Sequence, residues 1–294
     1  MDTNEQPTFK SQKGLIAYLD VLGYKNFLNN NLVDKIANII VDILYKIPEN
    51  IKNNKIEEID SVFKFQNETL KKRFLETISC KEVNLNSSSL DNVDEILKSF
   101  NIIMVKVLQN IIYFSFSDTI LIVIPYSPVK NDVEGGIVNN LIKVLFGYYI
   151  SDLYNILFKN GLPIRGVITE GEFILDDKNH QIFAGKPLIE AYEESYLLEI
   201  SAVVISNKNH FSEEFLNAYK FMKLGTLFKY SIPLKNKEFQ NYYTINPSVA
   251  WEYNTREKIL ESFVAHNKNL PESAIQKLNN TEIFFKYFTK NLLT

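Results

Sequence analysis

Cysteine is almost absent from this 294-residue chain. Cys80 stands alone, so neither an internal disulfide framework nor a thiolate zinc cluster can form. Histidine is nearly as scarce: His180, His210 and His266 lie far apart, without the spacing of metal-binding histidines. Basic charge is not in excess. The 32 Lys and Arg against 35 Asp and Glu leave a formal net charge of -3, which argues against a nucleic-acid binder that works by neutralising phosphates. A membrane-spanning helix needs about 20 nearly uninterrupted apolar residues. The most apolar stretch, Ile102 to Tyr126, is broken by Lys106, Gln109, Asn110 and Asp118 and reads as consecutive buried strands. Met1 to Lys13 is polar and lacks the apolar centre of a signal peptide. A reducing cytoplasm is the expected location, with no membrane or nucleic-acid partner.

What remains is the composition of a packed globular protein, 46% hydrophobic and 23% charged, whose 21 Phe and 16 Tyr need burial to offset the entropy of ordering. Gly14 to Leu22 (GLIAYLDVL) reads as a strand buried on both faces. After Gly23 the apolar residues Phe27, Leu32, Ile36, Ile39, Ile40, Ile43 and Leu44 recur at helical steps, and Pro48 is expected to close that helix. Residues 49–99, rich in Lys, Asn, Glu and Ser, read as a partly helical insertion with NLNSSSLDN (84–92) as a loop. IIYFSFSDTILIVIP (111–125) predicts a β-hairpin that turns at Ser117-Asp118.

A helix over Val138 to Phe158 follows, then strands in LPIRGVITEG and HQIFAG, a helix opened by Pro187, and a short strand in SAVVIS (201–206). The order is β-α-(insertion)-β-β-α-β-β-α-β. Without its second hairpin this is the βαββαβ plan of a ferredoxin-like sheet, an α/β (α+β) fold. Residues 10–206 would form the main domain. Residues 207–294 would pack on it as a largely helical C-terminal extension, with a helix near Phe211 to Tyr219, a strand near Phe221 to Tyr230 and two further helices.

Asp20 and Asp118 are the informative pair. Each is a carboxylate in an otherwise apolar strand context, one ending the first strand and one at the hairpin turn. In a βαββ core these places converge. Two carboxylates a few ångströms apart raise each other's pKa unless a cation lies between them, and Mg²⁺ suits carboxylate, carbonyl and phosphate oxygens. An Asp can also simply cap a turn or helix; the coincidence of both positions favours metal. Val21-Leu22-Gly23-Tyr24 then leads into a helix, a turn whose backbone N–H groups could meet a phosphate, with Gly23 permitting close approach.

LDVLGYKNF resembles the first-strand DxxGF motif of class III nucleotidyl cyclases, and FSDTILI resembles their metal-binding hairpin. LPIRGVITEGE followed by FAGKPLIEAYEES is similar to the later strand and helix of a bacterial branch that includes the pyrimidine cyclases of Pycsar antiphage systems. The resemblance spans about Gly14 to Ser206. It implies that Asp20 and Asp118, with the Val21 carbonyl, hold two Mg²⁺ or Mn²⁺ ions. It implies that Leu22, Gly23 and Tyr24 give backbone contacts to the triphosphate, and that the enzyme is a head-to-tail homodimer with sites at the interface.

Two departures stand out. Ile189 and Glu193 occupy the late-helix positions where most of the family carries Asn and Arg, and Ser115 stands where a purine-selecting Lys precedes the hairpin Asp. A standard adenylyl or guanylyl cyclase is therefore disfavoured. The expected function is conversion of UTP or CTP to a cyclic pyrimidine nucleotide, an antiviral alarm signal; the rival is a silent cyclase-like module that binds nucleotide or protein. Arg165, charged within an apolar strand, either pairs a carboxylate (Glu170, Glu172 or Glu190) or contacts the base or phosphates. Glu190, Glu193 and Glu194 read as a solvated or interface face, and Tyr192 as a packing aromatic.

Overall fold

Strand β1 (Phe9–Val21) lies in the middle of the sheet, flanked on both edges. A computed structural model describes residues 9–64, 104–126, 133–176, 183–208, 211–222 and 227–291. Along one edge β1 pairs antiparallel with β3 (Thr119–Pro125), which forms a hairpin with β2 (Ile112–Phe116). Along the other it pairs antiparallel with β4 (Ile164–Asp176), over a register that runs from Phe9↔Asp176 to Val21↔Ile164. Leu15, Ile16, Ala17 and Leu19 are fully buried. Such a strand needs apolar residues on both faces, which is what GLIAYL provides.

Among the described residues the sheet has eight strands, in the order β2-β3-β1-β4-β6-β8-β7. Strand β5 (Phe183–Ala184) pairs with β4 off that path. Strand β6 (Val203–Ile205) lies parallel to β4, and β7 (Phe228–Pro233) and β8 (Phe239–Thr244) extend the sheet as an antiparallel hairpin. The segment β2-β3-β1-β4 is the antiparallel ferredoxin-like arrangement expected of βαββαβ connectivity. The fold is mixed α/β.

Helices α1 (Tyr24–Asn29), α2 (Val33–Ile39) and α3 (Lys46–Lys64) follow β1, with a π-helical stretch at Ile40–Tyr45. Pro48 does not close a helix as the sequence suggested; it lies in the first turn of α3. The wider π-helical turn before it accommodates a residue without an N–H, and the Pro48 carbonyl accepts the Tyr149 hydroxyl at 2.9 Å. Part of the supposed insertion, through Lys64, is thus helical, while the expected loop 84–92 and Cys80 lie outside the described residues. A second correction concerns 104–109, expected as strand and found helical. Val107 and Leu108 are buried there while Lys106 and Gln109 are not, a helical rather than a two-residue alternation.

Helix α4 (Val133–Lys159) is apolar nearly all round and packs in the core through Leu141, Phe146, Ile150, Leu153 and Leu157, each 0% exposed. Its portion Val138–Lys159 is long and apolar enough to cross a membrane by composition, and its most apolar stretch is 78% buried inside the fold. Helix α5 (Lys186–Leu197) meets the opposite side of β1 and β4, where Tyr192 stands edge-on to Tyr18 with centroids 5.7 Å apart. Helix α6 (Phe211–Met222) packs on α4, α7 spans Arg256–Val264 and α8 spans Glu272–Asn291. The second C-terminal strand, FQNYYT, is not apparent in the sequence because its first three residues, Phe239, Gln240 and Asn241, are exposed and the rest lack an aliphatic run.

Candidate active site

Asp20 ends the apolar part of β1 directly opposite Thr119, the residue after the hairpin turn. The turn is two residues long, Ser117-Asp118, and the Asp118 carbonyl accepts the Val21 N–H at 2.8 Å. This bond ties the hairpin tip to the end of β1 and sets both aspartates at one edge of the fold. Strand alternation puts Asp20 on the side of Ile16 and Tyr18, away from α4. The Tyr18 hydroxyl shares a hydrogen bond with Thr119 at 3.1 Å.

A cleft of about 270 Å³ opens there. It is lined by Asp20, Val21, Leu22, Gly23, Tyr24, Asp118 and Arg165, which are all the site residues the sequence singled out. Gly23 has φ of 79°, a conformation that costs an L side chain about 1–2 kcal/mol. The turn amides are not equivalent. Leu22 N–H donates to the Pro163 carbonyl at 2.8 Å, so a triphosphate contact through that amide would have to displace this bond. Gly23 and Tyr24 are the remaining amides of that turn.

Arg165 is placed by register, since it pairs with Asp20 across β1 and β4. Its Nε donates to Asp20 Oδ2 at 2.8 Å and its Nη2 lies 2.8 Å from the same oxygen. Nη1 donates to the carbonyls of Tyr196 at 3.2 Å and Leu198 at 3.0 Å. The carboxylate partner of Arg165 is therefore Asp20, not Glu170, Glu172 or Glu190. Glu170 pairs instead with Lys13 at 3.3 Å, and Glu190 lies 3.7 Å from Lys186 and 3.8 Å from Lys208. Burial pushes the Asp20 carboxyl above its ordinary range; Arg165 opposes that rise and the charge of Asp118 adds to it. Asp118 also helps raise the Tyr24 hydroxyl, after burial.

This donor set suits a hard divalent cation in part. Two carboxylates and main-chain oxygens are the right chemistry. Both Arg165 contacts fall on Oδ2 of Asp20, which leaves Oδ1 outside the ion pair. No group of three or more His, Cys, Asp or Glu side chains suited to a metal occurs among the described residues. A cation here would depend on main-chain oxygens, water or phosphate to complete its shell.

On α5, Ile189 and Glu193 are exposed and neither lines the cleft. Glu194 departs from the expected solvated face: it is buried and accepts the Ser206 hydroxyl at 2.7 Å. Tyr192 is 50% exposed, half packed against Tyr18. Sequence reasoning missed the far wall of the cleft, which comes from Phe263, Asn269, Pro271, Ser273, Ala274 and Lys277. Nothing local in that stretch marks it, because its role arises only when α8 docks.

No protein-family model and no curated protein matches the chain. Among solved structures, the catalytic core of a rhodopsin-guanylyl cyclase with converted specificity in complex with ATPalphaS aligns with a TM-score of 0.38 and 10% identity, covering 81% of this chain and 98% of that one. The guanylyl cyclase Cya2 aligns with a TM-score of 0.32 and 10% identity, covering 81% of this chain and 93% of that one. Likeness at this level is too weak to bear on function. The functional reading rests on the site itself.

Proposed function

We propose that this chain is a metal-dependent nucleotidyl cyclase that converts UTP or CTP to a 3′,5′-cyclic pyrimidine nucleotide and pyrophosphate, as a signal in antiphage defence. The observation that carries the reading is the convergence of Asp20, Asp118 and the Gly23 turn on one cleft. The ribose 3′-oxygen attacks the α-phosphorus, the bond to pyrophosphate breaks, and the 3′-hydroxyl proton is lost to solvent. Mg²⁺ or Mn²⁺, two per site and held by Asp20, Asp118 and the Val21 carbonyl, would supply a lowered pKa at the 3′-hydroxyl and charge neutralisation at the leaving group. Gly23 and Tyr24 would orient the phosphates through their amides. Arg165 would hold Asp20 in place, and its remaining Nη2 N–H is the donor it could offer the base. The cyclase would act as a homodimer with its sites at the interface.

One observation favours a rival, a silent module that binds nucleotide or protein: Asp20 already has a charge partner in Arg165. Incubation with each of the four nucleoside triphosphates and Mn²⁺, followed by chromatography, separates the two. Cyclic UMP or cyclic CMP is expected, and Asp118→Asn should abolish it with the melting curve intact. A purine product would overturn the pyrimidine assignment, and no cyclic product would overturn the enzyme.

A further inference from the structure

The cleft has a cation that the family resemblance does not anticipate. Lys277 lies on α8, 257 positions along the chain from Asp20, yet lines the same cleft as Asp20, Asp118, Gly23 and Tyr24. Its side chain is only 12% exposed, and its ammonium is held 3.0 Å from Glu199 Oε1 and 3.1 Å from the Ser273 carbonyl. A lysine carries three N–H donors, so these contacts leave one for the cleft. The helix that presents it is fixed. Thr281 Oγ1 accepts the Ser201 N–H at 3.0 Å, and Asn280 Nδ2 donates to the Glu199 carbonyl at 2.6 Å.

The other cations are worse placed to meet an anion. Arg165 spends four of its five N–H donors on Asp20 and two carbonyls, and both of its contacts with Asp20 would have to give way for it to turn toward an anion. Lys25 is exposed, and a solvated ammonium adds little. Lys277 is also close enough to depress Lys235, whose pKa falls to about 8 through burial first, then the charges of Arg165 and Lys277. A little-exposed ammonium on the wall of a partly desolvated cleft is suited to a polyphosphate.

We infer that Lys277 supplies a charged side-chain contact to the substrate's phosphates, so that the C-terminal extension is part of the active site rather than an appendage to it. The inference rests on the cleft being a nucleoside-triphosphate site. On this account Lys277 exchanges Glu199 for phosphate when substrate enters, and a charged contact comes from the same chain that supplies Asp20 and Asp118.

The test is calorimetric titration of the full chain with inorganic tripolyphosphate, with and without Mg²⁺. Lys277→Gln should weaken binding about tenfold or more, the usual size for loss of a charge-assisted hydrogen bond. Lys277→Arg should stay within a few fold of the unmodified protein. Glu199→Gln, which releases Lys277, should bind as tightly or more tightly. Because Lys277→Gln alone strands Glu199, the double variant Lys277→Gln/Glu199→Gln serves as the folded control, checked by its melting curve, and should bind as weakly as the single one. Unchanged tripolyphosphate binding by the double variant, or no binding by the unmodified protein, overturns the inference. Tripolyphosphate has neither ribose nor base, so Lys277-dependent binding would stand even if no cyclic product formed. Cyclic product with unaltered binding in Lys277→Gln would overturn Lys277 and leave the cyclase reading in place.

Discussion

Two ends of this molecule hold together by different physics. Around the C-terminal half of α8 and the β7–β8 hairpin the contacts are aromatic: Phe288 meets Phe228 at 5.5 Å and Trp251 at 6.2 Å between centroids, and Phe284 meets Tyr230 at 4.8 Å. At the cleft the contacts are charged, with Asp20 on Arg165 at 2.8 Å and Glu199 on Lys277 at 3.0 Å, all four side chains 10–17% exposed. Apolar packing is non-directional and loses stability in proportion to what is removed. A desolvated ion pair contributes little net stability when intact but fails badly when one partner goes. The aromatic end is scaffold; on the function proposed above, the charged end tolerates its cost because its charges meet a ligand.

The largest expected effects probe that difference directly. Phe288→Ala should cost about 3–5 kcal/mol by urea denaturation, with no second substitution nearby restoring it. Arg165→Ala should cost a similar amount, about 3–5 kcal/mol, because Asp20 is left buried and unpaired. Adding Asp20→Asn to Arg165→Ala should recover most of the loss, since the stranded charge is gone. A double variant as unstable as Arg165→Ala alone would show that Arg165 acts through packing, and the contrast between the two ends would collapse.

A middle-sized effect lies between the two ends. Lys268 is 4% exposed and donates to the carbonyls of Gly161 at 2.7 Å and Ser262 at 3.2 Å, with its stem under Gly23. Burial lowers its pKa to about 7. The folded state therefore releases this proton near pH 7, while the unfolded chain keeps it to about 10.4. Between those values the unfolded state binds more protons, so stability rises with pH in that window and is lost as pH falls through about 7. Relative to Lys268→Met, the unmodified protein should gain about 2 kcal/mol from pH 7 to pH 9. Parallel pH profiles for the two proteins would mean that the ammonium is well solvated where it sits.

How much of this was legible in sequence follows the range of each interaction. Strand β1, the Ser117-Asp118 turn and the Gly23 turn are local patterns of alternation and chain reversal, and these gave Asp20 and Asp118. The Asp20–Arg165 pair was not legible, because it depends on the register of two strands 145 positions apart. Lys277 was less legible still, since its helix reaches the cleft only through tertiary docking. Pro48 misled because a preceding π-helical stretch overrode the usual breaker rule. β8 was missed because a strand that is exposed over Phe239 to Asn241 and buries a Tyr and a Thr carries little hydrophobic signal.

The smallest effect is expected at the turn that presents Asp118. Ser117 has φ of 54°, in the left-handed region that a non-glycine residue enters at a cost of about 1–2 kcal/mol. A two-residue hairpin with positive φ at its first turn position is where glycine is normally found. Ser117→Gly removes the backbone cost but gives the unfolded chain more freedom, which offsets about 0.4–1 kcal/mol. The net gain should be about 0.5 kcal/mol, a shift of one to a few degrees in melting temperature for a chain of this size. Turnover should move the other way if Ser117 restricts the hairpin tip, because a freer turn holds Asp118 less firmly beside Asp20. A stabilised Ser117→Gly protein with lower kcat and unchanged KM would tie the rigidity of this turn to the chemistry. Loss of stability would instead mean that the serine hydroxyl has a stabilising role that outweighs its backbone strain.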